Sequence, residues 1–117
     1  MDRNQPPHQS NIIQGSDVTL HIVVRNADGD ALDLTGATEI TVRLRRADRQ
    51  ALEKRLSRAE LEVTSAITGR VAVALSDADT DQLNVMPNAP IELWIDYGSI
   101  RRIAQIRSGI NVIARLI

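Results

Sequence analysis

The chain has no cysteine and no phenylalanine, and its 117 residues include one tryptophan, one tyrosine and a single lysine, Lys54. Without cysteine there is no disulfide framework and no thiolate metal site. Aromatics make up only 2% of the residues. That excludes the stacked-ring platform on which single-strand nucleic-acid binders hold their bases, and disfavours a sugar-binding face built the same way. The core is therefore expected to be aliphatic. Strong charge is missing too: the formal net charge is −1 and the pI near 6.1. A general nucleic-acid binder needs a basic excess to displace counterions. No run approaches the roughly 18 apolar residues of a membrane-spanning helix. Residues 1–10, MDRNQPPHQS, lack the apolar stretch of a secretory signal. These absences predict a soluble protein made in the cytoplasm, with no nucleic-acid, membrane or small-molecule partner and no cofactor.

What is present is alternation. In residues 14–37, QGSDVTLHIVVRNADGDALDLTGA, Val18, Leu20, Ile22 and Val24 share one face of an extended chain. Thr19, His21 and Arg25 share the other, with Val23 as its apolar exception, so this reads as a strand with one buried face. Asp28-Gly29 and Thr35-Gly36 supply turns, with a short extended run between them. Residues 38–46 alternate again, Ile40, Val42 and Leu44 against Glu39, Thr41, Arg43 and Arg45. Residues 47–61, ADRQALEKRLSRAEL, fit two states: a helix capped by Asp48, or a charged β-hairpin. Alternation returns at residues 61–64 and 70–75, with Thr68-Gly69 as the turn into the second. In the latter the small residues Ala72 and Ala74 face away from Val71, Val73 and Leu75, which suggests that something packs closely there. Residues 76–83 read as one or two helical turns, with Ser76 as N-cap and Asp79 at capping-box spacing. Met86-Pro87-Asn88 breaks that helix. Three further strands are expected over residues 91–97, 100–106 and 110–117, the last two separated by a Ser108-Gly109 turn.

Seven or eight short strands at such spacing predict an all-β, antiparallel sandwich of Ig-like type with one short helical turn. One domain spans residues 11–117. Residues 1–10 precede it as a flexible arm, since Pro6-Pro7 cannot join a sheet interior. Asn11 to Gln14 could add a short edge strand.

Nothing in the chain announces catalysis. His8 and His21 lack partners at motif spacing, and there is no nucleophile elbow, HExxH or phosphate loop. Asp77, Asp79 and Asp81 have the first spacing of a calcium loop, but Gln82 stands where its glycine should be, so helix capping is the simpler reading. Asp28, Asp30 and Asp33 belong to turns in the same way. The chain is expected not to be an enzyme and to hold no metal. Trp94 shares a strand face with Glu92 and Asp96, opposite Ile91, Leu93 and Ile95, so it is expected to point outward. An outward tryptophan makes a good association anchor. Trp94, Val23, Arg43 and Arg45 are the candidate interface.

Five groups of residues, in order, carry a resemblance. They are Gln14-Gly15; Asp28-Gly29; Asp33-Leu34-Thr35-Gly36; Leu75-Ser76 with Thr80 and Leu83; and Trp94-Ile95-Asp96-Tyr97. Together they resemble the Ig-like β-sandwich at the N-terminus of bacteriophage baseplate upper proteins and related tail or fibre proteins, over roughly residues 12–113. Met86-Pro87-Asn88 departs from the Pro-Gly usual there. The chain also stops after the module, with no fibre, lectin or receptor-binding extension, which moves the expectation from host adsorption to assembly. The resemblance implies a virion structural protein of the tail, baseplate or head, made in the bacterial host cytoplasm and incorporated by self-association and contact with other virion proteins. It implies no catalytic residues. The alternative is a binding module for a host-surface glycan or protein.

Overall fold

The computed structural model describes residues 10–26, 28–98 and 101–114, with Ser10 and residues 101–109 described by their backbone alone. Among these residues eight strands form two sheets: β1 (Ser10–Ile13), β2 (Val18–Val23), β3 (Glu39–Arg45), β4 (Ala51–Arg55), β5 (Leu61–Ser65), β6 (Arg70–Leu75), β7 (Met86–Tyr97) and β8 (Arg101–Ile113). A 3-10 turn covers Leu56–Arg58, and one short helix, α1, covers Asp77–Asp81. The larger sheet has the order β1-β8-β7-β3-β4 and the smaller β2-β6-β5. The architecture is an all-β sandwich. One pair departs from the antiparallel expectation, because β1 runs parallel to β8 with Ser10 opposite Ile110 and Ile13 opposite Ile113. Ser10 thus opens a strand, and the proposed arm otherwise lies outside the described residues.

Alternation sets what each sheet buries. Leu20, Ile22, Val71 and Val73 from the smaller sheet meet Ile40, Val42, Leu93 and Ile95 from the larger, all at most 7% exposed. Among the described residues the buried core holds no aromatic side chain, in line with the aliphatic core expected from the composition. Of the four residues expected to face inward on β2 and just after it, Leu20, Ile22 and Val24 are buried and Val18 is half-buried against the core.

Residues 47–61 are the hairpin and not the helix. Asp48 accepts a hydrogen bond from the Gln50 N–H at 3.0 Å within the β3–β4 turn, and Arg49 takes the left-handed conformation with φ 71°. Leu52 stands opposite Leu44, and both are buried. The strand sends Glu53 and Arg55 to one face, where Arg43 and Glu39 await them; a helix would have separated these i, i+2 neighbours.

Three further boundaries differ from the sequence reading. Met86-Pro87-Asn88 opens β7 and does not sit outside it, with Asn88 at φ 50° and its N–H donated to Asn111 Oδ1 at 3.1 Å. The expected Ser108-Gly109 turn is absent, since β8 runs unbroken through it. The pairing of β7 with β8 shifts register between Ala89 and Ile91 instead, so the glycine is absorbed in a ladder irregularity. Residues 31–34 make only one isolated bridge, Ala31 with Arg25.

Candidate interaction surface

Among the described residues, the densest ion pairing lies on the outer face of the larger sheet. Arg43 on β3 stands opposite Glu53 on β4 and Glu92 on β7, and its guanidinium bonds both, Nε to Glu53 at 2.9 Å and NH1 to Glu92 at 3.3 Å. Arg55 Nε adds a 2.8 Å bond to the other Glu53 oxygen, and NH1 lies 3.9 Å from Glu39. Glu39 is also held by the Ser57 hydroxyl and by the Ser57 N–H at 3.0 Å. These partners act on the carboxylates in a definite direction. The Arg55 hydrogen bond, with help from Arg43 and against partial desolvation, pulls Glu53 from 4.5 to about 2. Burial alone would raise Glu39, but the Ser57 and Ile40 donors and Arg55 outweigh it and hold it low.

Trp94 sits on this face, half-buried, and donates its indole N–H to Glu92. Thr41 was expected outward with the polar residues of β3, yet it is only 2% exposed. It stands between Arg55 on one side and Trp94 on the other, so larger neighbours close over it. Arg45 is exposed at the end of the same strand. Three of the four candidate interface residues, Trp94, Arg43 and Arg45, therefore share one sheet face. Val23 does not join them. It is half-buried on the smaller sheet, opposite Arg70. Ala72 and Ala74 lie on that sheet too, half-buried and exposed respectively, and line a shallow depression together with Leu56, Ala59 and Glu60.

The aspartates have structural duties. Ser76 accepts from the Asp79 N–H at 3.1 Å and Asp79 accepts from the Ser76 N–H at 2.9 Å, which is the predicted capping box. Asp79 also takes Lys54 Nζ at 2.9 Å, with the two side chains only 17% and 14% exposed. Burial would raise the Asp79 carboxyl, but the Lys54 ammonium and the Ser76 donors bring it below its ordinary value. Asp33 accepts from the Thr35 N–H at 2.8 Å and is lowered by the Thr35 hydroxyl and N–H. Among the described residues no three histidine or acidic side chains are grouped to hold a metal. His21 is exposed on the smaller sheet, and His8 lies outside the described residues.

Sequence reasoning missed that the motif groups touch one another. Thr80 is fully buried, accepts the Gly15 N–H at 3.1 Å and donates to the Ser16 carbonyl at 2.7 Å. Gln14 Nε2 donates to the Leu83 carbonyl at 3.0 Å, and the Asp77 N–H reaches Asp17 at 2.7 Å. The Gln-Gly corner and the Leu-Ser…Thr…Leu step are thus one knot, tying the start of β2 to α1. At the other end, the Tyr97 hydroxyl donates to the Asp33 carbonyl at 2.7 Å, and Thr38 N–H to the Asp96 carbonyl at 2.8 Å. The Asp-Leu-Thr-Gly corner is fastened to the aromatic strand. The one available signal was the presence of small polar residues, Thr80 and Thr38, where backbone groups converge.

The fold has a relative among solved structures. It is similar to the N-terminal domain of phage TP901-1 ORF48, with a TM-score of 0.55 and 13% identity, over 97% of this chain and 92% of that one. At that identity the likeness is one of fold. No protein-family model matches the sequence, and no curated protein does.

Proposed function

We propose that this chain is a structural part of a bacteriophage particle, in its tail, baseplate or head, and that it enters the particle by self-association and contact with neighbouring virion proteins. The observation that carries the reading is the near full-length fold likeness to a domain of a phage protein. Four of the five motif groups of the baseplate-type, Ig-like module support it, because here they are the fold's own fastenings. In this role the molecule does no chemistry. It offers rigid sheet faces, and the face bearing Trp94, Arg43 and Arg45 is the one we assign to contact. Its locked ion pairs leave little side-chain entropy to lose on docking, and Trp94 is already partly immobilised by Glu92.

Mass spectrometry of purified phage particles from a host that encodes the chain is the direct test. The chain should be present in many copies per particle; finding it only in the soluble lysate would exclude the reading. Light scattering tests the face: the native chain should be oligomeric and Trp94→Ala should lower its mass. An unchanged mass would remove Trp94 from the interface.

A further inference from the structure

Among the described residues four large apolar side chains stand exposed, Ile13, Ile67, Val85 and Ile113, each by at least 43%. Three of them meet. Ile13 on β1 is the register partner of Ile113 on β8. Val85 directly precedes Met86, whose partner on β8 is Val112, so it comes level with Ile113 from the other side. Their chain neighbours Ile12 and Val112 are buried, and Met86 packs against the core. By strand alternation all three therefore point outward. The result is an aliphatic row across β1, β8 and β7, on the outer face of the larger sheet. Asn11 and Asn111, joined by a 3.1 Å hydrogen bond, lie beside it, so no charge interrupts it. An exposed apolar row of this kind marks a place of contact.

Three side chains are too few for a stable contact, which takes roughly 20 residues a side. The rest of the same face can supply them. At the spacings of a β-sheet its five strands cover roughly 650 Å² in plan, near the ~800 Å² that each partner gives to a stable dimer. Trp94 stands at the far end of this face, about 30 Å from Val85 along β7. Around it Arg43 and Arg55 are neutralised by Glu53, Glu92 and Glu39, so a second copy of the face meets no like-charge barrier. When two copies of one face stack about a two-fold axis lying across the strands, their strands run in opposite directions. The tryptophan end of each then covers the aliphatic row of the other. Trp94 already donates its N–H to Glu92, so its ring can be buried against aliphatic groups without stranding a donor.

We propose that the row Ile13–Ile113–Val85 is the docking site for Trp94 of a second copy of this chain, in a dimer closed by the same contact made twice. The proposal rests on the self-association assigned above and gives it a geometry: the larger sheets stack face to face, and the pair closes on itself.

The composition makes the test clean, since the chain has one tryptophan and no cysteine. A cysteine thiol shortens the tryptophan triplet lifetime only at van der Waals contact. In the full chain carrying Val85→Cys, kept reduced, Trp94 phosphorescence should be quenched where light scattering gives a dimer. It should recover on dilution to the monomer, because within one chain the two residues are too far apart. Arg70→Cys, on the smaller sheet, should leave the lifetime unchanged at every concentration. Ile13→Thr with Ile113→Thr, which keeps β-branched residues in both strands, should weaken the dimer about tenfold or more. An oligomer whose Trp94 is untouched by the Val85→Cys thiol, or is quenched by the Arg70→Cys thiol instead, would overturn this contact and leave self-association standing. So would quenching that persists in the monomer, or a dimer indifferent to the paired threonines. A chain that stays monomeric at millimolar concentration would overturn both, and would give the row to residues 115–117 of the same chain or to a different protein.

Discussion

Lys54 shows how one side chain can govern a sandwich edge. On β4 it alternates with Leu52 and stands opposite the buried Val42, so its ammonium points under the sheet and not away from it. There it meets Asp79 at 2.9 Å, beside the depression lined by Asp17 and Thr19. Lys54→Met should cost about 1–3 kcal/mol in urea denaturation, since it strands a largely buried carboxylate. A double-mutant cycle with Asp79→Asn should recover a coupling of about 1 kcal/mol, and strict additivity would show the pair to be inert. Gly69 is the complementary case. With φ +66°, a Cβ there would lie 2.6 Å from the Val24 carbonyl oxygen and 2.7 Å from that of Leu32, both backbone. Gly69→Ala should therefore cost at least about 2 kcal/mol, because backbone must move and the left-handed conformation is retained. The sequence showed this glycine as a turn residue. It could not show the close approach, which depends on the residue 24 and residue 32 segments arriving from far away.

At the scale of elements, left-handed residues that are not glycine mark where stability was left unclaimed. Ala59 ends the 3-10 turn at φ 57°, and Arg49 closes the β3–β4 hairpin at φ 71°. Ala59→Gly should raise stability by about 0.5–1 kcal/mol, seen as a rise in melting temperature, since relief of the left-handed penalty exceeds the entropy glycine adds to the unfolded chain. A fall would mean that the Ala59 methyl has a packing role. The same hairpin explains the one segment that sequence left open. Leu52, Leu56 and Ala59 fall at helical spacing, and Leu52, Lys54 and Leu56 alternate as in a strand. What decided between them was β3, whose Arg43 and Leu44 gain Glu53 and Leu52 as cross-strand neighbours only if the chain doubles back. Elements with a single strong period, β2, β3 and β6, were legible from their own residues. The β8 continuity was not, because a Ser-Gly pair inside a strand and one between strands look alike until the opposing β7 register is known.

For the whole molecule, four carboxylates share one tendency. Glu53, Glu39, Asp79 and Asp33 all titrate below their ordinary values. A carboxylate lowered by folding stabilises the native state above its unfolded pKa and withdraws that support as pH falls toward the native one. Stability should therefore be level near neutrality and decline below about pH 4.5, the ordinary glutamate value, with the Glu53 share lost down to about 2. Glu53→Gln should flatten that decline while lowering stability at pH 7, as followed by denaturant midpoints across pH. A decline of unchanged steepness would assign acid sensitivity elsewhere. The sandwich as a whole was readable, because strand count, aliphatic faces and turn spacing all agreed. The candidate face was readable only in part. Trp94 and Arg43 came from strand parity, but the split between two sheets, which removes Val23 from their company, is a property of topology and not of alternation.

The parallel seating of β1 against β8 has a mechanical consequence. Tension applied through the chain before Ser10 and after Ile113 pulls the two strands along their own axes in opposite directions. The four rungs from Ser10–Ile110 to Ile13–Ile113 then carry load side by side, in shear, and cannot unzip one at a time. The join would yield abruptly at a high force, a useful property in a part through which a pull must pass.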